Sequence, residues 1–216
     1  MRVAGEVVTK PAEQVTADQP LSVDAQARAR VSRAGVKLEA ALDAFEFSPR
    51  DRIALDLGAS TGGFTQVLLE LGAARVYAVD VGHGQLHETL VGDDRVVSLE
   101  GQDARQLDAS VIPEPIAALV ADLSFVSLTL ALPAALELAA PGAWSVALIK
   151  PQFELDRKAV GKGGIVRDEA ARQRAVERVS DWFAVQPGWR VRGVIPAPIE
   201  GAKGNQEFLI GAERVD

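Results

Sequence analysis

The clearest indication of the fold is the glycine-rich segment Asp56-Leu57-Gly58-Ala59-Ser60-Thr61-Gly62-Gly63-Phe64. It overlaps the apolar run 53–57, which predicts a buried parallel strand, and it leads into a predicted helix over 64–70. Glycines between a strand and a helix let a ligand approach the backbone closely. The spacing does not fit the dinucleotide fingerprint, and no Gly-Lys-Ser/Thr follows to make a phosphate-binding loop. The stretch therefore predicts a ligand-binding turn of another kind.

Strands and helices alternate outward from this turn. Such alternation predicts an α/β fold with a mostly parallel, seven-stranded sheet that is covered by helices on both faces. The predicted strands span 53–57, 76–80, 96–99, 116–122, 144–150, 189–195 and 207–212. The predicted helices span 33–45, 64–70, 128–140 and 169–183, with Ser32 and Asp168 as N-caps of the first and last, and Gly72 ends the second.

The overall composition excludes several classes of protein. The 216 residues include no cysteine, so disulfides, thiolate zinc sites and cysteine nucleophiles are excluded. No apolar run approaches the roughly 20 residues that span a bilayer, and residues 1–6 do not resemble a secretory signal. We therefore expect a cytoplasmic protein without a membrane partner. The composition makes no prediction of oligomeric state.

The acidic residues are concentrated in the middle of the chain. Residues 53–149 hold 3 basic and 12 acidic side chains, whereas residues 150–174 hold 7 basic and 4 acidic ones. The second segment could form a local basic face for a nucleic acid, although scattered solvated charge explains the same counts.

Acidic residues lie at or just beyond the ends of four successive predicted strands. They are Asp56, Asp80, Asp103 and Asp122. Ligands of open α/β sheets bind at this carboxyl edge. Any one of these acids could instead cap a helix, but four in succession beside a glycine turn favour a ligand site.

The chemistry of these acids favours S-adenosylmethionine as the ligand. A carboxylate at Asp56 would repel pyrophosphate but suits a ligand that carries an ammonium group and a sulfonium. Asp80 could accept two hydrogen bonds from ribose hydroxyls, and Gln102 or Asp103 could contact the adenine edge. The predicted cofactor contacts are Asp56, Gly58, Ser60, Gly62, Gly63, Phe64, Asp80, Val81, Gln102, Asp103 and Asp122.

Lys150 is the strongest candidate for a catalytic base. It directly follows an apolar strand, where a lysine is costly unless it is paired, and a lysine there could lose its charge and accept a proton. Glu207 begins the last predicted strand. Taken alone, Lys37 is expected to be a solvated lysine on the first helix.

From Val31 onward the chain contains six ordered motifs, at 31–38, 55–64, 77–86, 121–128, 149–154 and 204–208. Together they resemble the TlyA family of ribosomal RNA 2′-O-methyltransferases, whose members are often named hemolysins. The resemblance implies a Rossmann-like, class I S-adenosylmethionine-dependent fold similar to that of the FtsJ/RrmJ enzymes.

The same resemblance implies a catalytic tetrad of Lys37, Asp122, Lys150 and Glu207. The central lysine of such a tetrad takes the proton from the ribose 2′-hydroxyl, and no metal is required. The implied substrate is a cytidine of ribosomal RNA, free or within a ribosomal subunit.

The resemblance also divides the chain into domains. Residues 1–23 resemble the hairpin tail of an S4 RNA-binding domain whose preceding helices are absent, residues 24–30 form a linker, and residues 31–216 form the methyltransferase domain. We accordingly expect weak, salt-sensitive binding of RNA.

Three other functions stay open at this point. The family name hemolysin suggests a toxin-like protein, although the sequence offers no membrane span. The same sheet could methylate a small molecule or a protein. An RNA-binding protein without catalytic activity is the third alternative.

Overall fold

A computed structural model describes the backbone of three short strands, Arg2–Val3, Glu6–Val7 and Leu21–Ser22, together with residues 30–201 and 204–215. The chain forms two compact units, residues 1–30 and residues 31–216. In the first unit, strands β1 (Arg2–Val3), β2 (Glu6–Val7) and β3 (Leu21–Ser22) pair antiparallel in the order β2-β1-β3. Most of the proposed S4 remnant and linker lies outside the described residues.

The second unit alternates strands and helices. Its strands are β4 (Ile53–Leu57), β5 (Arg75–Asp80), β6 (Val96–Glu100), β7 (Ile116–Ala121), β8 (Ala139–Ile149), β9 (Trp189–Pro196) and β10 (Phe208–Arg214). Its helices are α1 (Gly35–Phe45), α2 (Gly63–Glu70), α3 (Glu88–Val91), α4 (Leu128–Ala131), α5 (Pro133–Glu137), α6 (Pro151–Glu154) and α7 (Glu169–Ala184).

The seven strands form one mostly parallel sheet in the order β6-β5-β4-β7-β8-β10-β9. Strand β10 alone runs against its neighbours, and it pairs antiparallel with both β8 and β9. The strand order turns outward in both directions from the pair β4 and β7, whose carboxyl ends carry the glycine turn and Asp122. The predicted α/β fold is confirmed, and the expected binding edge lies where ligands bind in such sheets.

The core consists of two apolar layers, one on each face of the sheet. Helices α1 to α3 cover one face, and α4, α5 and α7 cover the other. Along β4, Ala54 belongs to the first layer, and Leu55 and Leu57 belong to the second, because successive side chains of a strand point to opposite faces. Within the described part of the chain, no helix is both long and apolar enough to cross a membrane.

Two predicted elements need correction. The helix expected over 128–140 is two short helices, because the ring of Pro133 cannot continue a helix that began at Leu128. The turn Pro141-Gly142 lies inside β8 as a bulge, since Ile116 pairs with Ala139 but Ala118 pairs with Trp144.

Of the three residues predicted to end helices, one prediction is wrong and two are confirmed. The N-cap of α1 is Ala34, which makes no side-chain cap, and the hydroxyl of Ser32 accepts a hydrogen bond from the amide of Ala34. Asp168 caps α7 as predicted, and Gly72 follows α2 in the left-handed conformation.

Candidate active site at the carboxyl edge of the sheet

The glycine turn packs directly against the end of the neighbouring strand. Gly58 has a φ of +78°, and a Cβ atom added to it would lie 2.6 Å from the carbonyl oxygen of Asp122. A Cβ at Gly62, whose φ is +95°, would lie 2.1 Å from the side chain of Leu90. Both positions therefore require glycine. Without side chains at these positions, a ligand can reach the backbone of the turn.

A cavity of about 520 Å³ opens beside this turn and is called the larger cavity here. Seven of the residues predicted to contact a cofactor line it, and they come from the ends of β4 to β7. These seven are Gly58, Ser60, Asp80, Val81, Gln102, Asp103 and Asp122, and Gln85, Arg105, Leu123, Ser124, Phe125 and Val126 also contribute.

The carboxylate of Asp80 organises the wall of the larger cavity. Its Oδ2 accepts a hydrogen bond from the amide of Ser60 at 2.9 Å, and its Oδ1 accepts one from Gly82 at 2.7 Å. Each carboxylate oxygen keeps further acceptor capacity, which suits ribose hydroxyls.

Asp103 accepts more hydrogen bonds within the protein than the sequence suggests. Arg105 holds it through its backbone amide and its guanidinium, with Nη2 2.6 Å from Oδ2. The hydrogen bonds from Arg105 lower the pKa of Asp103. Gln102 donates from Nε2 to the carbonyl oxygen of Asp103.

The structure corrects the expected role of Asp56. Its side chain is 0% exposed and lines neither cavity, because it points from β4 toward α2, where Thr65 donates a hydrogen bond to it at 2.7 Å. Burial is the main cause that raises its pKa from 3.8 to about 7. The carboxyl group therefore connects β4 to α2 beneath the glycine turn. In this position it does not reach a ligand's ammonium group.

The four residues of the expected tetrad form two ion pairs. Lys150 Nζ lies 2.7 Å from Oδ1 of Asp122, and Lys37 Nζ donates to Oε2 of Glu207 at 2.5 Å. The second pair is buried, and only 5% of Lys37 is exposed, so the expectation of a solvated lysine is wrong. A lysine is buried in this way only with a partner, and that partner lies 170 positions away.

The sheet register brings the two pairs to the same edge. Phe208 of β10 pairs with Ile149 of β8, so the next position along places Glu207 opposite Lys150. Asp122 directly follows β7, whose Ala121 pairs with Ala147. Three adjacent strands therefore carry three of the four residues, and α1 supplies Lys37 from one face.

A second cavity of about 220 Å³, the smaller cavity, adjoins the first. Gly58, Ser60, Asp122 and Ser124 line both cavities, whereas Lys150 lines only the smaller one. Gly63 and Phe64, which are predicted cofactor contacts, also line the smaller cavity. Gly62 lines neither cavity.

Two residues at this boundary are missing from the sequence prediction. Ser124 Oγ accepts a hydrogen bond from Lys150 Nζ at 2.9 Å. Phe125 is 90% exposed, adopts a φ of +67°, and its ring centroid lies 5.1 Å from that of Phe153. A polar residue and an aromatic residue just after a strand-ending acid are the signal that could have identified both.

The fold and this edge define a class of protein, the Rossmann-like methyltransferases. An O-methyltransferase of Bacillus cereus shares the fold at 17% sequence identity, with a TM-score of 0.57 over 84% of this chain and 81% of that chain. The family model for FtsJ-like methyltransferases matches residues 30–214, and the chain belongs to that family.

Two relatives extend the family relationship and confirm the resemblance to TlyA proteins. The chain is 45% identical over 211 residues to the 16S/23S rRNA (cytidine-2′-O)-methyltransferase TlyA of Mycobacterium tuberculosis, which covers 97% of this chain and 78% of that protein. It is 43% identical over 180 residues to Hemolysin A of Brachyspira hyodysenteriae, covering 83% of this chain and 75% of that protein.

Proposed function

We propose that this protein transfers the methyl group of S-adenosylmethionine to a ribose 2′-hydroxyl of ribosomal RNA, at a cytidine. The observation that carries the proposal is the pair Lys150–Asp122, because it lies where a cavity for a methyl donor meets a second cavity for an acceptor. The name of the Mycobacterium tuberculosis relative supports the choice of acceptor.

The residues of the larger cavity fit the methyl donor. Its volume of about 520 Å³ lies within the range of small-molecule sites. Bound there, S-adenosylmethionine supplies an electrophilic methyl group on a positively charged sulfur and leaves as a neutral thioether. Asp80 would accept hydrogen bonds from the ribose, Gln102 and Asp103 would contact the adenine, and Asp122 would face the cationic end.

Lys150 is the residue that would receive the hydroxyl proton. Asp122 and Ser124 occupy two of the hydrogen-bonding positions of Nζ, which leaves one position for a further partner, and the smaller cavity is the side open to an acceptor. Most of the rate enhancement would come from alignment of the acceptor oxygen with the methyl carbon. Proton removal by a positioned base contributes typically about 10²- to 10⁴-fold.

The buried pair Lys37–Glu207 would complete the network from the opposite side. Glu207 follows the loop that precedes β10 and lies opposite Lys150 in register, so Lys37 fixes the carboxylate on this edge. The pair lines neither cavity, which favours a role in holding the strand ends over direct contact with the substrate.

Exposed basic residues lie in the loop that follows α6, shortly after Lys150 in the chain, and they suit an RNA substrate. The loop 155–168 exposes Arg157, Lys158, Lys162 and Arg167. Asn205 holds this loop, since it donates to the carbonyl oxygen of Gly164 at 2.8 Å and accepts from the amide of Val166 at 3.0 Å. Asn205 lies two positions before Glu207, so the basic loop is attached to the active-site edge at both ends.

We also keep the domain assignment as a proposal. Residues 1–23 would be the hairpin tail of an S4 domain, residues 24–30 a linker and residues 31–216 the methyltransferase domain. The three short antiparallel strands of the first unit are compatible with such a tail. A cytoplasmic location would follow from a ribosomal substrate.

The test is a map of 2′-O-methyl groups on ribosomal RNA. Purified protein, S-adenosylmethionine and ribosomal subunits or free ribosomal RNA from a strain that lacks this gene should yield a new mark on a cytidine. Methyl label found only in small metabolites or proteins, and never in RNA, would contradict the proposed acceptor.

The name Hemolysin A of one relative favours a second candidate, a lytic activity. Lysis of erythrocytes by the purified protein tests it directly. Under the proposed function, the protein methylates RNA without releasing haemoglobin, and lysis by a preparation free of other proteins would support the second candidate.

A further inference from the structure

One buried carboxyl group close to the site belongs to neither ion pair. Glu154 ends α6, the short helix that begins directly after Lys150, and only 2% of the residue is exposed. Burial raises the pKa of this carboxyl group. A buried carboxyl group is costly unless hydrogen bonds satisfy it, so the donors that reach it reveal what it holds.

Both donors come from the segment that follows Asp122. The hydroxyl of Ser127 donates to Oε2 of Glu154 at 2.5 Å, and the amide of Leu128 donates to Oε1 at 2.8 Å. Ser127 is the N-cap of α4, and its Oγ also accepts a hydrogen bond from the amide of Thr129. Glu154 therefore connects the segment that follows β8 to the segment that follows β7.

A third element anchors this junction. Arg178 of α7 donates from Nη1 to the carbonyl oxygen of Glu154 at 2.8 Å. The end of α6 is thus held by its side chain on one side and by its backbone on the other.

The segment held in this way, residues 123–127, directly follows Asp122 and contains one of the two contacts of Lys150. It includes Ser124, which accepts the hydrogen bond from Lys150, and Phe125, whose positive φ of +67° is unfavourable for a residue with a side chain. Such a conformation persists only where the surrounding structure fixes it, and Glu154 fixes its far end.

We propose that Glu154 is a positioning residue for methyl transfer, which holds Ser124 and Asp122 so that Lys150 Nζ faces the smaller cavity. The inference rests on the proposed function, because it assigns Lys150 as the base. Its effect should appear in the rate constant kcat more than in the KM for RNA, since Glu154 contacts neither cavity.

The test compares Glu154→Ala, Glu154→Gln and Ser127→Ala with Val179→Ala, a control in α7 that removes fully buried apolar volume elsewhere in the core. The alanine variant at Glu154 should lower kcat by about 100-fold, the scale expected for misalignment of reacting groups by about 1 Å. Glu154→Gln keeps one acceptor oxygen, so its kcat should fall less. Ser127→Ala keeps the hydrogen bond from Leu128, and its kcat should also be intermediate.

KM for RNA should stay within about threefold of the wild-type value in all four variants.

The control separates positioning from stability. Rates are measured well below the melting temperature of each variant, where Val179→Ala should keep the wild-type kcat. If Glu154→Ala matched Val179→Ala in kcat, the carboxyl group would serve stability alone and the inference would be wrong.

Amide hydrogen exchange in the absence of RNA supplies a readout that is independent of the reaction. Glu154→Ala should speed exchange over residues 123–128 but not over β4, and unchanged exchange there would contradict the proposal. If the wild-type protein failed to methylate RNA, the proposed function would be wrong. Hydrogen exchange would still test whether Glu154 holds residues 123–128.

Discussion

Gly201 leaves the space that the carboxylate of Glu207 occupies, because glycine has no side chain. A Cβ atom added to Gly201 would lie 1.9 Å from Oε1 and 2.4 Å from Cδ of Glu207. Gly201 does not have a positive φ, so the constraint at this position is steric. The carboxylate can bond to Lys37 only because the facing residue is glycine.

Gly201→Ala should therefore displace Glu207 and break its bond to Lys37. We expect a loss of about 1–3 kcal/mol in the free energy of unfolding, as for other overpacked sites, and a lower kcat. Denaturant melts and single-turnover rates measure both. Gly92→Ala is the matched control, because its Cβ would meet only the Glu88 carbonyl oxygen at 3.6 Å and both quantities should stay near wild type.

Asp56 makes the stability of the fold depend on pH. Its pKa is raised from 3.8 to about 7, so the folded protein holds a proton that the unfolded chain releases between these values. Stability should therefore be greatest below about pH 4 as far as this group is concerned, and should fall as the pH rises through 7. A shift of this size corresponds to at most about 4 kcal/mol.

Asp56→Asn should remove this dependence. The free energy of unfolding of the variant should change less between pH 5 and 8 than that of the wild type, in urea melts over roughly that interval. An equal slope in the two proteins would show that the carboxyl group is not the source.

At the scale of elements, one carboxylate orders the loop after β5. Glu100, at the end of β6, accepts hydrogen bonds from three successive amides, those of Gly84, Gln85 and Leu86, at 2.7 to 3.1 Å. These bonds lower the pKa of Glu100. The loop in turn presents Val81 and Gln85 to the larger cavity.

Glu100→Gln should loosen this loop and weaken the binding of S-adenosylmethionine by about tenfold, or about 1.4 kcal/mol. Isothermal titration calorimetry measures the affinity, and KM for RNA should not change. Asp93→Asn is a suitable control, because the pKa of Asp93 is also lowered, but its partner is Arg95, which lines neither cavity. Equal affinities of the two variants would exclude this role for Glu100.

Element boundaries also show what the sequence could predict. The strand Ile53–Leu57 and helix α7 are predicted within one residue, because apolar runs and a capping aspartate are local signals. The short helix α3 and the cap of α1 are not predicted. Both depend on packing against residues distant in the chain, which periodicity does not record.

For the whole molecule, the alternation of strands and helices predicts the sheet, and the strand ends predict where the ligand residues gather. What local pattern cannot supply is the partner of each side chain. Lys37 is buried because of Glu207, Glu154 is buried because of Ser127, and Asp56 turns toward Thr65 because of its position in the strand pleat. These contacts decide which acids face the cavity and which support it.

The proposed function depends on the transfer of a proton from a ribose hydroxyl to Lys150, and substitution of this residue tests that step. Lys150→Ala and Lys150→Arg should both lower methyl transfer to ribosomal RNA by about 100-fold or more, because arginine keeps the charge but cannot give up its proton. Calorimetry should show that both variants bind S-adenosylmethionine as the wild type does. Full activity of either variant on ribosomal RNA would exclude Lys150 as the base.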